Sequence, residues 1–481
     1  MKTSPGQATC ARVAASMLPL LFMLAACGGG SSGSPVAAPT PPAPAPVGTP
    51  PSPPSAPTPA PPPSAPVPSP PPPPAGPGPA ISAEPADQTV SLGQRAFFSV
   101  AASAATSFQW SRGATAIAGA TGPTYFAPAA VAGDAESTYS VVASDSAGST
   151  TSSTATLHLN PNADGSPPAA FWGNVAAIPA ATQVMTLKFV NATNGTVPDS
   201  QIFWQIQGKS ASGATINEFH SLADASTYDS PGINSTRMYF YIAPTQAAAT
   251  QGSTSYFDFI EFNLGRSNAS QPWNFNGDTT RVDAFGIKLA IRLQCSDGTD
   301  VVRGEDYGTF LEDRAVTFAK YLGEVPAEFQ STGTQSAPYR IVEPGTAVNF
   351  QAAGANAAYY DAYINQVWSA NGIDTSIVPK PTPFLRFADG SRPDLVAAVE
   401  RHVGETPGTF KADGTLVDPN FWSKISSSAF YPAAPANYYA KFWHTHGIGA
   451  RAYGFSYDDV GGYSSDIGCN NPQRLIVAIG W

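Results

Sequence analysis

Between Gly28 and Ala80 the chain uses six residue types only: Gly, Ser, Pro, Ala, Val and Thr. Such a tract has no large apolar side chain to bury, and its prolines hold the backbone extended. Everything that folds around a core must therefore follow residue 80. The 481 residues of the chain allow two or three domains with cores of their own. Residues 27–80 read as a stalk.

Ahead of the stalk, Lys2 and Arg12 precede an apolar run from Val13 to Ala26. The run is too short to span a bilayer and suits a signal-peptide core. It ends Leu24-Ala25-Ala26-Cys27-Gly28, which looks like a bacterial lipobox. Residues 1–26 would then be a lipoprotein leader and Cys27 the lipidated mature N-terminus, with ordinary cleavage after Ala26 as the alternative. The expectation is an exported protein, lipid-anchored at the bacterial cell envelope. Gly28 lacks the acidic side chain linked to inner-membrane retention, which favours the outer membrane or the cell surface. No other segment is apolar enough to span a membrane, so contact runs through the anchor alone. Of four cysteines, Cys295 and Cys469 remain once Cys10 and Cys27 are set aside. In an oxidising compartment they pair, or they stay as two thiols; the sequence leaves both open. No Cys/His spacing suggests a metal, and no glycine pattern suggests a nucleotide cofactor.

Charged residues make up 12% of the chain and the net charge is −10. Nucleic acid is excluded as a partner, since phosphate binding needs basic patches. A neutral polymer, held by hydrogen bonds and aromatic stacking, suits this surface better.

Residues 81–160 form short runs broken by turn residues: Ala96 to Val100, Phe108-Gln109-Trp110, Thr124-Tyr125, Tyr139 to Ala143 and Ala155 to Leu159. The spacing is that of a β-sandwich. The stretch resembles a bacterial immunoglobulin-like domain, with Trp110 at the strand-C tryptophan and Tyr139 before the strand that normally carries the second cysteine. Neither usual cysteine is present, so packing alone must hold the core. Spacer and carbohydrate-binding module are both open, with a spacer favoured because no exposed aromatic row stands out.

From about residue 167 the runs Val184–Val190, Gln201–Ile206 and Arg237–Ile242 are β-rich. Helices are predicted at Ala357–Ala370, where Tyr360, Tyr363, Ile364, Val367 and Trp368 recur at helical spacing, and at Pro393–Val403. Two strands carry a carboxylate in an unusual place. Period-2 alternation puts Glu261 on one face with Phe257, Phe259 and Asn263. It puts Asp283 on an apolar face with Phe285, Ile287, Leu289 and Ile291. A carboxylate there costs free energy unless it is paired or used; a strand-end turn residue is the alternative. Two carboxylates on nearby strands suggest glycoside hydrolysis, one protonating the leaving oxygen and the other activating water or attacking.

Three stretches then carry a family resemblance: Phe259-Ile260-Glu261-Phe262-Asn263-Leu264 with Thr280-Arg281-Val282-Asp283-Ala284-Phe285; Tyr360 to Trp368; and Asn437 to Lys441 through His444-Thr445-His446 to Tyr453 and Asp458-Asp459. Residues 167–481 resemble glycoside hydrolase family 64, the thaumatin-like β-1,3-glucanases. The resemblance implies a mainly β fold, with a thaumatin-like β domain facing a smaller mixed α/β domain across a wide groove. It implies endo-hydrolysis of β-1,3-glucan with inversion, Glu261 as general acid and Asp283 as general base, without a cofactor, in a monomer. Asn263, Trp273, Asn276, His444, His446, Tyr453, Asp458 and Asp459 would contact substrate along the groove, Trp273 by stacking on a sugar ring. Three departures stand beside the cleft: the family's Trp before the acid is absent, the segment between the carboxylates is longer, with Ser267 to Pro272 added, and Asn263 stands where the family has a polar threonine two places after the acid. Alternation puts the imidazoles of His444 and His446 on one side of a strand, where metal binding is the minor alternative. Glu305-Asp306 and Glu312-Asp313 read as solvated loop charges. The rival functions are a catalytically inactive glucan-binding surface protein, and a structural surface protein that leaves the last domain unexplained.

Overall fold

The computed structural model describes residues 78–252, 255–333, 340–381 and 392–481. The leader, Cys27 and nearly all of the stalk lie outside the described residues.

Residues 80–159 form a small β-sandwich. One sheet runs in the order Gln88–Val90, Ala155–Leu159, Ser137–Ser144, Ser107–Arg112, Thr115–Ala116. Opposite it, Arg95–Ser99 pairs with Thr124–Ala129, and Ala80–Ala83 with Ala101–Ser103. Trp110 is fully buried, its indole N–H donating to the Gly122 carbonyl at 3.0 Å. Phe98 stacks on Tyr139 with ring centroids 4.5 Å apart. These aromatics fill the space between the sheets. The sandwich contacts the larger domain directly. Gln94 donates to the Thr445 carbonyl at 2.7 Å and also to the Asp306 carboxylate, both in the larger domain. Backbones meet closely here: a Cβ on Gly308 would stand 2.2 Å from the Thr89 carbonyl oxygen, so only glycine fits.

The strands after residue 167 are labelled β1 (Met185–Asn191), β2 (Ile202–Ser210), β3 (Thr215–Ser221), β4 (Thr227–Ser230), β5 (Ile233–Ile242), β6 (Tyr256–Gly265), β7 (Asn274–Thr279), β8 (Lys288–Cys295), β9 (Asp300–Gly304), β10 (Ile467–Asn470) and β11 (Pro472–Gly480). One sheet has the order β4-β1-β11-β8-β9, the other β3-β2-β5-β6-β7-β10. All pairings are antiparallel except β1 with β11. The sheets share a core of Leu187, Phe189, Trp204, Phe240, Ile260, Phe262, Leu289, Ile291 and Val477. Cys295 on β8 and Cys469 on β10 form a disulfide across 174 residues of sequence, with Cα atoms 6.5 Å apart. Alternation along β6 holds as expected: residues 260, 262 and 264 face this core, while Phe257 and Phe259 join an aromatic layer on the opposite face with Phe203, Tyr239 and Tyr241.

A helical lobe packs beside the sheets, built from α1 (Tyr307–Leu311), α2 (Arg314–Glu324), α3 (Ala327–Gln330), α4 (Asp361–Asn371), α5 (Pro393–Glu400) and α6 (Tyr438–Thr445). α4 and α5 fall where helical spacing predicts them, and Tyr360, Tyr363, Ile364, Val367 and Trp368 are all buried. α4 stops at Gly372, in the left-handed region at φ 62°. α6 corrects an expectation: the segment holding His444 is a helix, not a strand. Its cap explains this, for the Asn437 side chain accepts the Ala440 N–H at 2.9 Å. Tyr439, Ala440, Phe442 and Trp443 then bury a helical stripe.

Candidate functional site

Glu261 stands on the outward face of β6, about a quarter exposed. The register sets Arg237 of β5 on one side of it and Asp278 of β7 on the other. Arg237 Nε donates to Glu261 Oε1 at 2.7 Å, and the guanidinium lies 4.6 Å above the Phe259 ring. One pair further along, Asn263 faces Asn276, and both are exposed. The Asn263 side-chain oxygen accepts the Ser235 N–H at 2.6 Å. Strand alternation thus delivers a row of polar groups around one carboxylate, bordered by an aromatic layer.

Asp283 corrects the strand expectation. It is exposed, and it sits in a bend rather than on an apolar strand face. The apolar residues after it are buried, yet they belong to two cores. Phe285 enters the helical lobe, its ring 4.7 Å from Trp443, whereas Ile287, Leu289 and Ile291 enter the core between the sheets. The chain breaks direction at Gly286, which presses so closely on β6 that a Cβ would stand 2.1 Å from the Phe257 carbonyl oxygen. Ala284–Phe285 pairs briefly with Ile341–Val342, and the Asp283 carbonyl accepts the Glu343 N–H at 3.0 Å. Asp283 therefore marks the crossing between sheet and helical lobe.

Beneath this crossing lies a buried ion cluster. Arg281 Nη1 meets Asp258 Oδ2 at 2.6 Å and Arg281 Nη2 meets Glu305 Oε1 at 2.6 Å, with all three side chains at most 5% exposed. Burial pushes both carboxyls above the ordinary carboxylate range, against the pull of Arg281. Burial also works against the charge on Arg281, but Asp258 and Glu305 outweigh it and raise its pKa. Glu305 is thus no solvated loop charge. Neither are Asp306 and Glu312, both buried: Asp306 caps α1 through the Thr309 N–H, and Glu312 pairs with Lys320. Asp313 alone of the four is exposed, capping α2 through the Ala315 N–H.

The histidines diverge. His444 Nε2 meets Asp458 at 2.9 Å, and Asp458 pairs with the buried Arg401 at 2.9 Å. Burial would raise the Asp458 carboxyl, but His444 and Arg401 overcome that and hold it low. His446 turns to Glu324, 3.1 Å away; burial lowers its pKa and Glu324 more than restores it, leaving it raised. Among the described residues no cluster of three or more His, Cys, Asp or Glu side chains is arranged to hold a metal. Asp458 and Tyr453 are buried, Tyr453 accepting the Arg281 N–H on its carbonyl at 2.7 Å. Asp459 is exposed. Trp273 is half-buried: its ring lies against Gly232, with the Arg266 guanidinium 4.4 Å from its centroid, so the ring already has partners. Sequence reasoning missed Asp258 and Arg281. The signal was present, because Asp258 shares the core-facing parity of Ile260 and Phe262.

A family model described as Beta-1,3-glucanase, glycoside hydrolase family 64, matches residues 233–378 and 393–479, which take in Glu261, Asp283 and α4 to α6. These residues are similar to glycoside hydrolase family 64. A glucan endo-1,3-beta-glucosidase of Arthrobacter sp. (strain YCWD3) is 30% identical to this chain and one of Cellulosimicrobium cellulans 24% identical. Each match covers 42% of this chain and 42% of the relative, so the chain spans under half the length of these curated relatives. The crystal structure of a family 64 laminaripentaose-producing β-1,3-glucanase from Paenibacillus barengoltzii is 26% identical with a TM-score of 0.51, covering 84% of this chain and 100% of that one. The matched residues thus include both carboxylates, Glu261 and Asp283.

Proposed function

We propose that this chain hydrolyses internal β-1,3-glucosidic bonds of glucan with inversion, Glu261 acting as general acid and Asp283 as general base. The observation that carries the reading is the setting of Glu261: an outward carboxylate in a polar row beside aromatic rings, within a domain matched to β-1,3-glucanases. The exposure of Asp283 suits a base that must reach water. An inverting pair stands about 6.5–9.5 Å apart, leaving room for that water. Asn263, Asn276 and Asp459, all exposed, hydrogen-bond sugar hydroxyls, while His444, His446, Tyr453 and Asp458 shape the groove from behind. The groove runs between a thaumatin-like β domain and the helical lobe. The N-terminal sandwich is immunoglobulin-like and braces the domain. Cys27 carries the lipid that holds the exported monomer at the cell envelope.

The test is incubation of the protein with laminarin or curdlan, followed by analysis of soluble sugars. Release by the wild type, with loss of about 10²–10⁴-fold in Glu261→Gln and in Asp283→Asn, is expected. No release, with retention of the protein on insoluble curdlan, would turn the reading to a binding protein.

A further inference from the structure

The bend that carries Asp283 has no regular structure of its own, yet a general base must be held to a fraction of an ångström. Its neighbours supply the hold. Asp258 Oδ2 accepts the Gly286 N–H at 2.9 Å and the Ile287 N–H at 3.3 Å. Glu305 Oε2 accepts the Leu289 N–H at 2.6 Å. Arg281 joins the two carboxylates and donates back to the Ile287 carbonyl at 3.2 Å. On the other flank the Tyr439 hydroxyl of α6 donates to the Arg281 carbonyl at 2.6 Å, and the Arg281 N–H reaches the Tyr453 carbonyl. Side chains thus bind the backbone at both ends of the bend, at 281 and at 286–289.

The geometry has a second consequence. Asp258 lies on β6, three residues before Glu261, and points to the opposite face. One strand therefore carries the proposed acid outward and, inward, the anchor of the proposed base. The cluster also reaches the sandwich: Glu305 precedes Asp306, whose carboxylate is gripped by Gln94.

We infer that Asp258, Arg281 and Glu305 are positioning residues that fix Asp283 relative to Glu261, with the sandwich bracing the cluster through Gln94. None of the three touches substrate. Their buried charges do for the bend what ladder hydrogen bonds do for a strand. The inference rests on the proposed hydrolysis for its meaning, but not for its measurement.

The experiment uses the full chain with Asp258→Asn, Glu305→Gln and Arg281→Lys, each read in two ways. Amide hydrogen exchange is followed over residues 281–289 and over β1, β2 and β11 as reference strands. Kinetics on laminarin give kcat and KM separately. Exchange over 281–289 is expected to rise at least tenfold while the reference strands stay protected. The expected kinetic result is a fall in kcat of about ten- to a hundredfold with KM changed by less than about threefold. Asp258→Asn and Glu305→Gln keep the size and one oxygen acceptor, so they report even where Arg281→Lys fails to fold. Unchanged exchange over 281–289 in the folded Asn and Gln variants overturns the clamp whatever the activity. Faster exchange there with kcat intact overturns its role in positioning. Absence of wild-type hydrolysis counts against the proposed reaction instead, and is distinguished because the exchange readout still stands.

Discussion

Glu400 closes α5 with 3% of its surface exposed, accepting the Tyr360 hydroxyl at 3.0 Å. Burial, and then the nearby charge of Glu343, push its carboxyl from 4.5 to about 8. The folded protein keeps a proton there that the unfolded chain releases above pH 4.5. The sign follows from linkage: the stability due to this group is fully present below the unfolded value and is lost as pH rises through the folded one. A displacement of that size is worth up to about 5 kcal/mol, at roughly 1.4 kcal/mol per unit. Glu400→Gln removes the titration and keeps an oxygen for Tyr360. The variant should match the wild type near pH 4 and become progressively more stable than it towards pH 8, by several degrees in Tm. Thermal unfolding of both proteins across pH 4 to 8.5, followed by circular dichroism, reads the difference directly. A difference that stays flat with pH would refute the reasoning, since it would mean that Glu400 is already ionised in the fold.

Other expectations follow from the same structure. Reduction of the Cys295–Cys469 bond, or Cys469→Ser, frees a loop closed across 174 residues and should lower stability by up to about 5 kcal/mol on the chain-entropy account; a Tm unmoved by reductant contradicts it. His446 has its pKa raised by Glu324, so its contribution is fully present below about pH 6.5 and lost as pH rises through the folded value. The Tm advantage of wild type over His446→Gln should accordingly shrink from pH 6 to pH 9. Asn263→Ala and Asn276→Ala should raise KM on laminarin severalfold with smaller effects on kcat, as loss of one sugar hydrogen bond costs about 1 kcal/mol; unchanged kinetics would remove both from the groove.

The sequence made β6 legible because its alternation is strict: Phe257, Phe259, Glu261 and Asn263 do share a face. α4 was legible for the same reason, with five large side chains at helical spacing. Asp283 was not, since the apolar run after it serves two cores and bends at Gly286, a break that periodicity cannot register. The histidine segment was misread because two residues at i and i+2 fit a strand, while the Asn437 cap that settles a helix lies seven residues earlier. Glu305, Asp306 and Glu312 looked solvated because charges in a turn-rich stretch usually are; their partners, Arg281, Gln94 and Lys320, are distant in sequence or lie on the next helix. The docking of the sandwich through Gln94 was invisible for the same reason.

The pairing of Glu261 and Asp283 as acid and base is tested most directly by the configuration of the first sugar released. A proton NMR time course of laminarin hydrolysis, begun before mutarotation equilibrates the ends, distinguishes the outcomes. The account predicts that the α-anomer appears first, as water activated by Asp283 attacks from the face opposite the leaving group. A β-anomer appearing first would mean a covalent intermediate and a nucleophilic carboxylate, and would contradict the assignment.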